Sequence, residues 1–152
     1  MKKLFLGICL IAIYIGLPSS AQACECAGGY LSAYAELKYS DSVFIGEVVE
    51  LKKVNISPAY EGAVPYELEV KFKVKRAWKG VAGKSIILRT EAEGCIVGFA
   101  KGKKYLVYAS IYKDRLRTSY CSRTKELSRA DLDLKEFEEG EKPAKIIETL
   151  LP

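Results

Sequence analysis

What most constrains this chain is where its cysteines fall. Cys24, Cys26, Cys95 and Cys121 all follow a leader of the kind that export removes, and only Cys9 lies inside it. Lys2 and Lys3 supply a basic start, residues 4–17 form an almost unbroken apolar run, and Pro18-Ser19-Ser20 breaks it. Ala21-Gln22-Ala23 then puts small residues at the two positions a signal peptidase reads. The run is shorter than the roughly 20 residues that cross a bilayer. Residues 1–23 are therefore expected to be a removed signal peptide, leaving no membrane span and Cys24 as the new N-terminus. The destination is secreted, extracellular or periplasmic, where disulfides persist. Lipid attachment at Cys24 is disfavoured: Ala21 and Gln22 match poorly the pattern that precedes a lipidated cysteine, and it would leave three thiols.

Four cysteines in an exported chain most simply make two disulfides, with three possible pairings. In Cys24-Glu25-Cys26 an extended tripeptide points the two side chains unfavourably for a bond between them. Two pairings stay open, each tying the N-terminus to the middle and the far end of the chain. The loops closed are long, worth roughly 4 kcal/mol per bond in the chain-entropy picture. A metal site of four thiols is weaker, since the sequence has no CxxC pair and export opposes free thiolates.

The chain has no histidine among its 152 residues. That removes Ser-His-Asp and Cys-His nucleophile systems and any imidazole zinc site. The expectation is a protein that is not an enzyme and has no cofactor of its own. Losing Lys2 and Lys3 takes the formal charge from +5 to +3, too mild to argue for a nucleic-acid partner. Length suits a single domain at residues 24–140, with 141–152 a tail or short helix, and a monomer is expected.

Patterning predicts strands flanked by helices. Residues 30–39 carry helical spacing at Leu31, Tyr34, Leu37 and Lys38, before Ser40-Asp41 stops it. Residues 42–54 are β-rich, with Gly46 in mid-run where a bend or bulge is typical. Residues 55–65 form a polar loop. Tyr66, Leu68, Val70, Phe72 and Val74 then alternate with charged residues, a half-buried strand. Further β-runs follow at 85–90, 104–112 and 116–120, the last two joined by a Lys113-Asp114 hairpin turn. Ser128 is expected to cap a helix over 129–137 whose Ala130, Leu134 and Phe137 share a face. The acidic stretch 136–141 reads as solvated, and residues 143–151 as a last short helix. The fold expected is mainly β: a five-stranded OB-fold-like Greek-key barrel with flanking α-helices.

Other candidates have bland readings. Lys71, Lys73, Lys75, Arg76 and Lys79 lie beside Trp78, and Lys101, Lys103 and Lys104 form a second cluster. Such a surface can take single strands or acidic glycans, but a solvated strand face is the expectation. Trp78 is expected to be largely buried. Tyr30, Tyr34, Tyr39, Tyr105 and Tyr108 read as core and barrel-end packing. Glu47, Glu50, Glu91 and Glu93 read as surface residues rather than a glycosidase pair.

Several segments carry a resemblance: the mature start Cys24-Glu25-Cys26, Lys75-Arg76-Ala77-Trp78-Lys79-Gly80, and Glu93-Gly94-Cys95. Gly102-Lys103-Lys104-Tyr105-Leu106-Val107-Tyr108-Ala109 and Cys121-Ser122-Arg123-Thr124 extend it. In order and spacing the chain resembles the N-terminal, netrin-like domain of the tissue inhibitors of metalloproteinases, in a minimal single-domain form. The resemblance implies the pairing Cys24–Cys95 and Cys26–Cys121. It also implies a function. The first mature cysteine, Cys24, would chelate the catalytic zinc of a partner zinc metalloendopeptidase through its α-amine and carbonyl oxygen. Glu25 would face the S1′ pocket, and the loop of Glu93, Gly94 and Cys95 would touch the other side of the cleft.

Physical chemistry agrees with such a wedge. A free α-amine, with a pKa of about 7.7–8.0, offers a lone pair near neutral pH. Chelation by amine and carbonyl would displace the zinc-bound water that performs hydrolysis. Disulfides on both sides reduce the entropy lost on docking. The competing expectation is a non-inhibitory envelope or extracellular OB-fold module that binds a protein or acidic glycan.

Overall fold

The computed structural model describes residues 24–26, 31–57 and 66–140. The expected signal peptide, Cys9, Tyr30 and the helix expected over 143–151 lie outside the described residues, as does the cleavage that would expose Cys24.

The elements run in the order α1 (Ala33–Tyr39), β1 (Ser42–Asn55), β2 (Tyr66–Lys79), β3 (Ser85–Glu91), β4 (Lys104–Tyr112), β5 (Arg115–Arg117), β6 (Lys125–Glu126), a 3-10 turn (Leu127–Arg129) and α2 (Asp131–Gly140). The strands form one six-stranded sheet ordered β1-β2-β3-β5-β4-β6, and an additional β1–β4 pairing closes it into a ring. All pairings are antiparallel except the single β3–β5 contact at Arg89 and Arg117. Six strands replace the five expected, because a two-residue β6 pairs with Tyr105 and Leu106 of β4. The run expected over 116–120 shortens to Arg115–Arg117. Lys113 and Asp114 do form the turn before it, both with positive φ, the backbone that a tight two-residue hairpin demands.

Closure depends on β1. Its first half pairs with β4 while its whole length pairs with β2, and its β2 register slips at three places. Such bulges bend a strand and sharpen its twist. Gly46 sits at one slip, and a Cβ there would lie 2.9 Å from the Phe44 ring and 3.0 Å from Phe72. Only glycine fits at this bend.

Two cores share the same strands. Inside the ring lie Phe44, Val48, Val70, Phe72, Leu88, Phe99, Tyr105 and Val107. Their rings step edge-to-face from Phe44 to Phe72 to Phe99 to Tyr105 at 5.5, 5.4 and 4.8 Å. Outside it, Val43, Leu106 and Tyr108 pack with Ala33 of α1 and with Ala130 and Phe137 around α2. Residues 105–109 of β4 are thus buried on both faces, the pattern of a strand sandwiched between two layers.

Three further expectations are corrected. Ser128 does not cap a helix over 129–137: it lies inside the 3-10 turn, and α2 starts at Asp131. Ala130, Leu134 and Phe137 nevertheless pack on one cluster. Trp78 is half-buried rather than largely buried, its ring 5.1 Å from Phe137 on one side and covered by the Arg76 guanidinium at 4.5 Å. Tyr39 is 77% exposed and belongs to no core.

Candidate functional site

The two disulfides of the structure are Cys24–Cys95 and Cys26–Cys121, with Cα separations of 5.7 and 5.6 Å. They are the pairs that the resemblance implies. Cys24 and Cys26 are half-buried and Glu25 between them is exposed. A short segment with no regular structure is thereby tied at both ends to two different loops, one between β3 and β4, the other between β5 and β6.

The first of these loops is held from beneath. Val97 and Phe99 are buried. The Tyr105 hydroxyl donates to the Gly98 carbonyl at 3.0 Å and accepts from the Ala100 N–H at 2.9 Å. At its outer end Glu93 is exposed and accepts from the Tyr66 hydroxyl. Gly94 has φ +79°, with open space where a side chain would stand. Glu93, Gly94 and Cys95 therefore sit on one exposed loop tip, joined by Cys24–Cys95 to the N-terminal segment.

The second loop replaces a strand with side chains. The Thr124 hydroxyl accepts from the Tyr108 N–H at 2.9 Å, and the Thr118 hydroxyl donates to the Tyr108 carbonyl at 2.8 Å. These two threonines satisfy backbone groups of β4 that a neighbouring strand would otherwise take. Ser122 adds a bond to the Ser119 carbonyl at 2.8 Å.

Behind this loop lies a group that sequence reasoning did not single out. Asp133 of α2 is 2% exposed. It accepts from Tyr108 Oη at 2.9 Å, from Arg123 at 2.8 and 3.3 Å and from Lys125 Nζ at 2.9 Å. Burial pushes its carboxyl up, but the hydrogen bonds from Arg123, Lys125 and Tyr108 outweigh that and hold it below the usual aspartate value. Burial, with the adjacent Asp133 charge, pushes the Tyr108 hydroxyl far above the ordinary tyrosine range. Arg123, with φ +58°, also donates to the Leu31 carbonyl at 2.7 Å, tying the Cys121 loop to the entry of α1. Asp133 falls between Ala130 and Phe137 on the buried helix face, and that helical spacing is the signal that could have found it.

Glu136 corrects the reading of residues 136–141 as a solvated stretch. Its carboxylate accepts from the Ala33 and Tyr34 N–H groups at 3.1 Å each and closes the start of α1. Its desolvation is more than offset by those bonds, which keep its pKa below the ordinary value.

The remaining candidates do not converge. Lys75 pairs with Glu47 at 3.0 Å, Lys79 donates to the Lys38 carbonyl at 2.7 Å, and Lys103 pairs with Glu126 at 3.0 Å. The basic strip is thus partly spent on its own neighbours. Glu50 faces Lys71 across β1 and β2, while Glu91 is bonded to Arg117 and Glu93 to Tyr66. Each of these carboxylates faces a different partner on a neighbouring element, and no two of them share one. Among the described residues no group of three or more His, Cys, Asp or Glu side chains is placed to hold a metal ion. No helix among them is long and apolar enough to cross a membrane.

The arrangement that stands out is therefore an exposed residue between two cysteines, braced by two loops that are themselves pinned to β4. Compared with known proteins, the chain matches no protein-family model and no curated protein.

Proposed function

We propose that this chain is a secreted protein of the metalloprotease-inhibitor kind, whose ring of strands is an OB-fold-like, netrin-like barrel. The observation that carries the reading is the N-terminal segment: Glu25 exposed between Cys24 and Cys26, with both cysteines bonded to separate loops. Export and removal of residues 1–23 leave the Cys24 α-amine free. That amine and the Cys24 carbonyl oxygen then enter the coordination sphere of a zinc held by the partner, a zinc metalloendopeptidase, and displace its water. Both Cys24 and Cys26 thiols are consumed in disulfides, so the donors are backbone atoms on a braced scaffold. Glu25 faces the S1′ side, where its carboxylate calls for a cation in the partner's pocket. The Glu93-Gly94-Cys95 tip, linked through Cys24–Cys95, rests on the opposite wall.

The test is the amine itself. Intact mass of the exported protein first establishes its start and both disulfides. Adding one alanine before Cys24, or acetylating the amine, moves or neutralises the donor without touching the sheet. Inhibition of a susceptible zinc protease should fall by orders of magnitude, with circular dichroism and melting unchanged. Glu25→Thr should extend inhibition toward proteases with apolar S1′ pockets. A module that binds glycan or scaffold protein would ignore both changes. Equal inhibition by the extended chain, or no inhibition across a broad panel of zinc proteases, refutes the reading.

A further inference from the structure

Between the Cys95 loop and the Cys121 loop lies a cleft of about 510 Å³, the size of an ordinary small-ligand site. One side is apolar. Ile96 and Tyr120 are 41% and 40% exposed, large for side chains of their kind, and buried Val97 and Tyr105 lie beside them. The rest of the lining is mostly basic: Arg123, Lys125 and Arg129, with Glu126 the carboxylate among them.

Those charges are unevenly spent. Glu126 is taken by Lys103 at 3.0 Å. Asp133 behind the wall is saturated, each oxygen receiving two donors from Tyr108, Arg123 and Lys125. Arg123 uses three of its five N–H groups on Asp133 and Leu31. Lys125 uses one of three. Arg129 is exposed, and no carboxylate among the described residues lies within ion-pairing distance of it. The cleft thus combines spare cationic donors with apolar lining, and its carboxylate Glu126 is already paired.

We propose that this cleft binds a carboxylate carried on an apolar body. The carboxylate meets Arg129 and the remaining N–H groups of Arg123 and Lys125, and the apolar body lies on Ile96 and Tyr120. Charge-assisted bonds to guanidinium orient the head group, while Tyr120 supplies rigid contact area at low entropic cost. Because Asp133 already holds Arg123 and Lys125 in place, the donors are ordered before the ligand arrives. Cys24 is not among the lining residues of this cleft, and the inference does not depend on protease inhibition.

The experiment is a nuclear magnetic resonance titration of the exported protein with N-acetyl-phenylalanine and with its amide. The acid should shift the backbone amides of Ile96, Gly98, Tyr120 and Arg129 saturably, and the amide should bind at least ten-fold more weakly. Arg129→Ala, an exposed change that leaves the fold intact, should weaken the acid ten-fold while leaving the weak binding of the amide unaltered. Tyr120→Ala should weaken both ligands. A capped aspartyl-phenylalanine amide, which carries only a side-chain carboxylate, separates an internal acidic residue from a chain terminus as the natural source. Alanine extension before Cys24 should change none of these values. Equal binding of acid and amide, indifference to Arg129→Ala, or shifts confined to other surfaces would each overturn the proposal. So would a sulfated disaccharide that occupies the cleft when N-acetyl-phenylalanine does not, since that outcome assigns the cleft to a glycan.

Discussion

Replacing Asp133 with alanine is the most informative single perturbation of this fold. The carboxylate is buried and receives bonds from three residues on two other segments: Tyr108 in β4, and Arg123 and Lys125 around β6. Its removal strands a tyrosine hydroxyl in the outer core and leaves the Arg123 and Lys125 charges, 20% and 25% exposed, without their shared counter-charge. Breaking a buried ion pair from one side costs about 3–5 kcal/mol, and an unsatisfied buried hydroxyl about 1–3. Local relaxation and water entry recover part of that sum, so the expected loss is about 4 kcal/mol. At about 3–4 °C per kcal/mol for a domain of this size, Tm should drop by about 12–16 °C. Urea unfolding at pH 7 measures the loss directly. Asp133→Asn keeps one acceptor and should lose about half as much. The pH dependence carries a sign. Because the folded pKa of Asp133 lies below the unfolded value of 3.8, its contribution is present above that value and disappears as pH falls through the folded pKa. The acid limb of the stability curve should therefore be shallower in Asp133→Asn. A loss under 1 kcal/mol for Asp133→Ala, with an unchanged acid limb, would refute the claim that this carboxylate joins β4, α2 and the Cys121 loop.

Tyr108→Phe tests the other end of the same contact. The folded pKa of Tyr108 lies above its ordinary value of 10.0, so its contribution is full below that pH and declines as pH rises above it. The phenylalanine variant should lose about 1–2 kcal/mol at pH 7 and show a flatter alkaline limb in urea titrations above pH 10. An alkaline limb identical to the parent's would remove Tyr108 from that role. Gly46→Ala places a Cβ 2.9–3.0 Å from the Phe44 and Phe72 rings, and overpacking of this kind costs about 1–3 kcal/mol. Thermal melts read it, and an unchanged Tm would mean that β1 accommodates a side chain at its bend.

Strands β1, β2, β3 and β4 were legible to within a few residues wherever alternation or β-branched runs were strong, because a period of two admits one buried face. The corrections cluster where tertiary contact overrides local pattern. Ser128 looks like a cap, but Ala130 and Leu127 are drawn into the outer core and wind the chain into a 3-10 turn. Glu136 looks solvated among its acidic neighbours, yet the free N–H groups of α1, more than a hundred residues earlier, take it. Trp78 ends a good strand but reaches the rim of α2, where Phe137 covers only one side.

By itself the sequence determined what is local or countable. Alternation sets strands, glycine at position 46 allows a bend, and four cysteines after an apolar run most simply make two bonds. The choice between the two pairings that tie the N-terminus to distant loops was beyond parity, since parity counts thiols without placing them, and there the resemblance supplied an expectation. Only the tertiary structure decided closure through β1 and β4, the donors gathered on Asp133 and the cleft between the two disulfide-bearing loops. Each of these joins groups from different elements, and no periodicity records which surfaces will meet. They become visible when two layers pack on β4 and every buried polar group must find a partner.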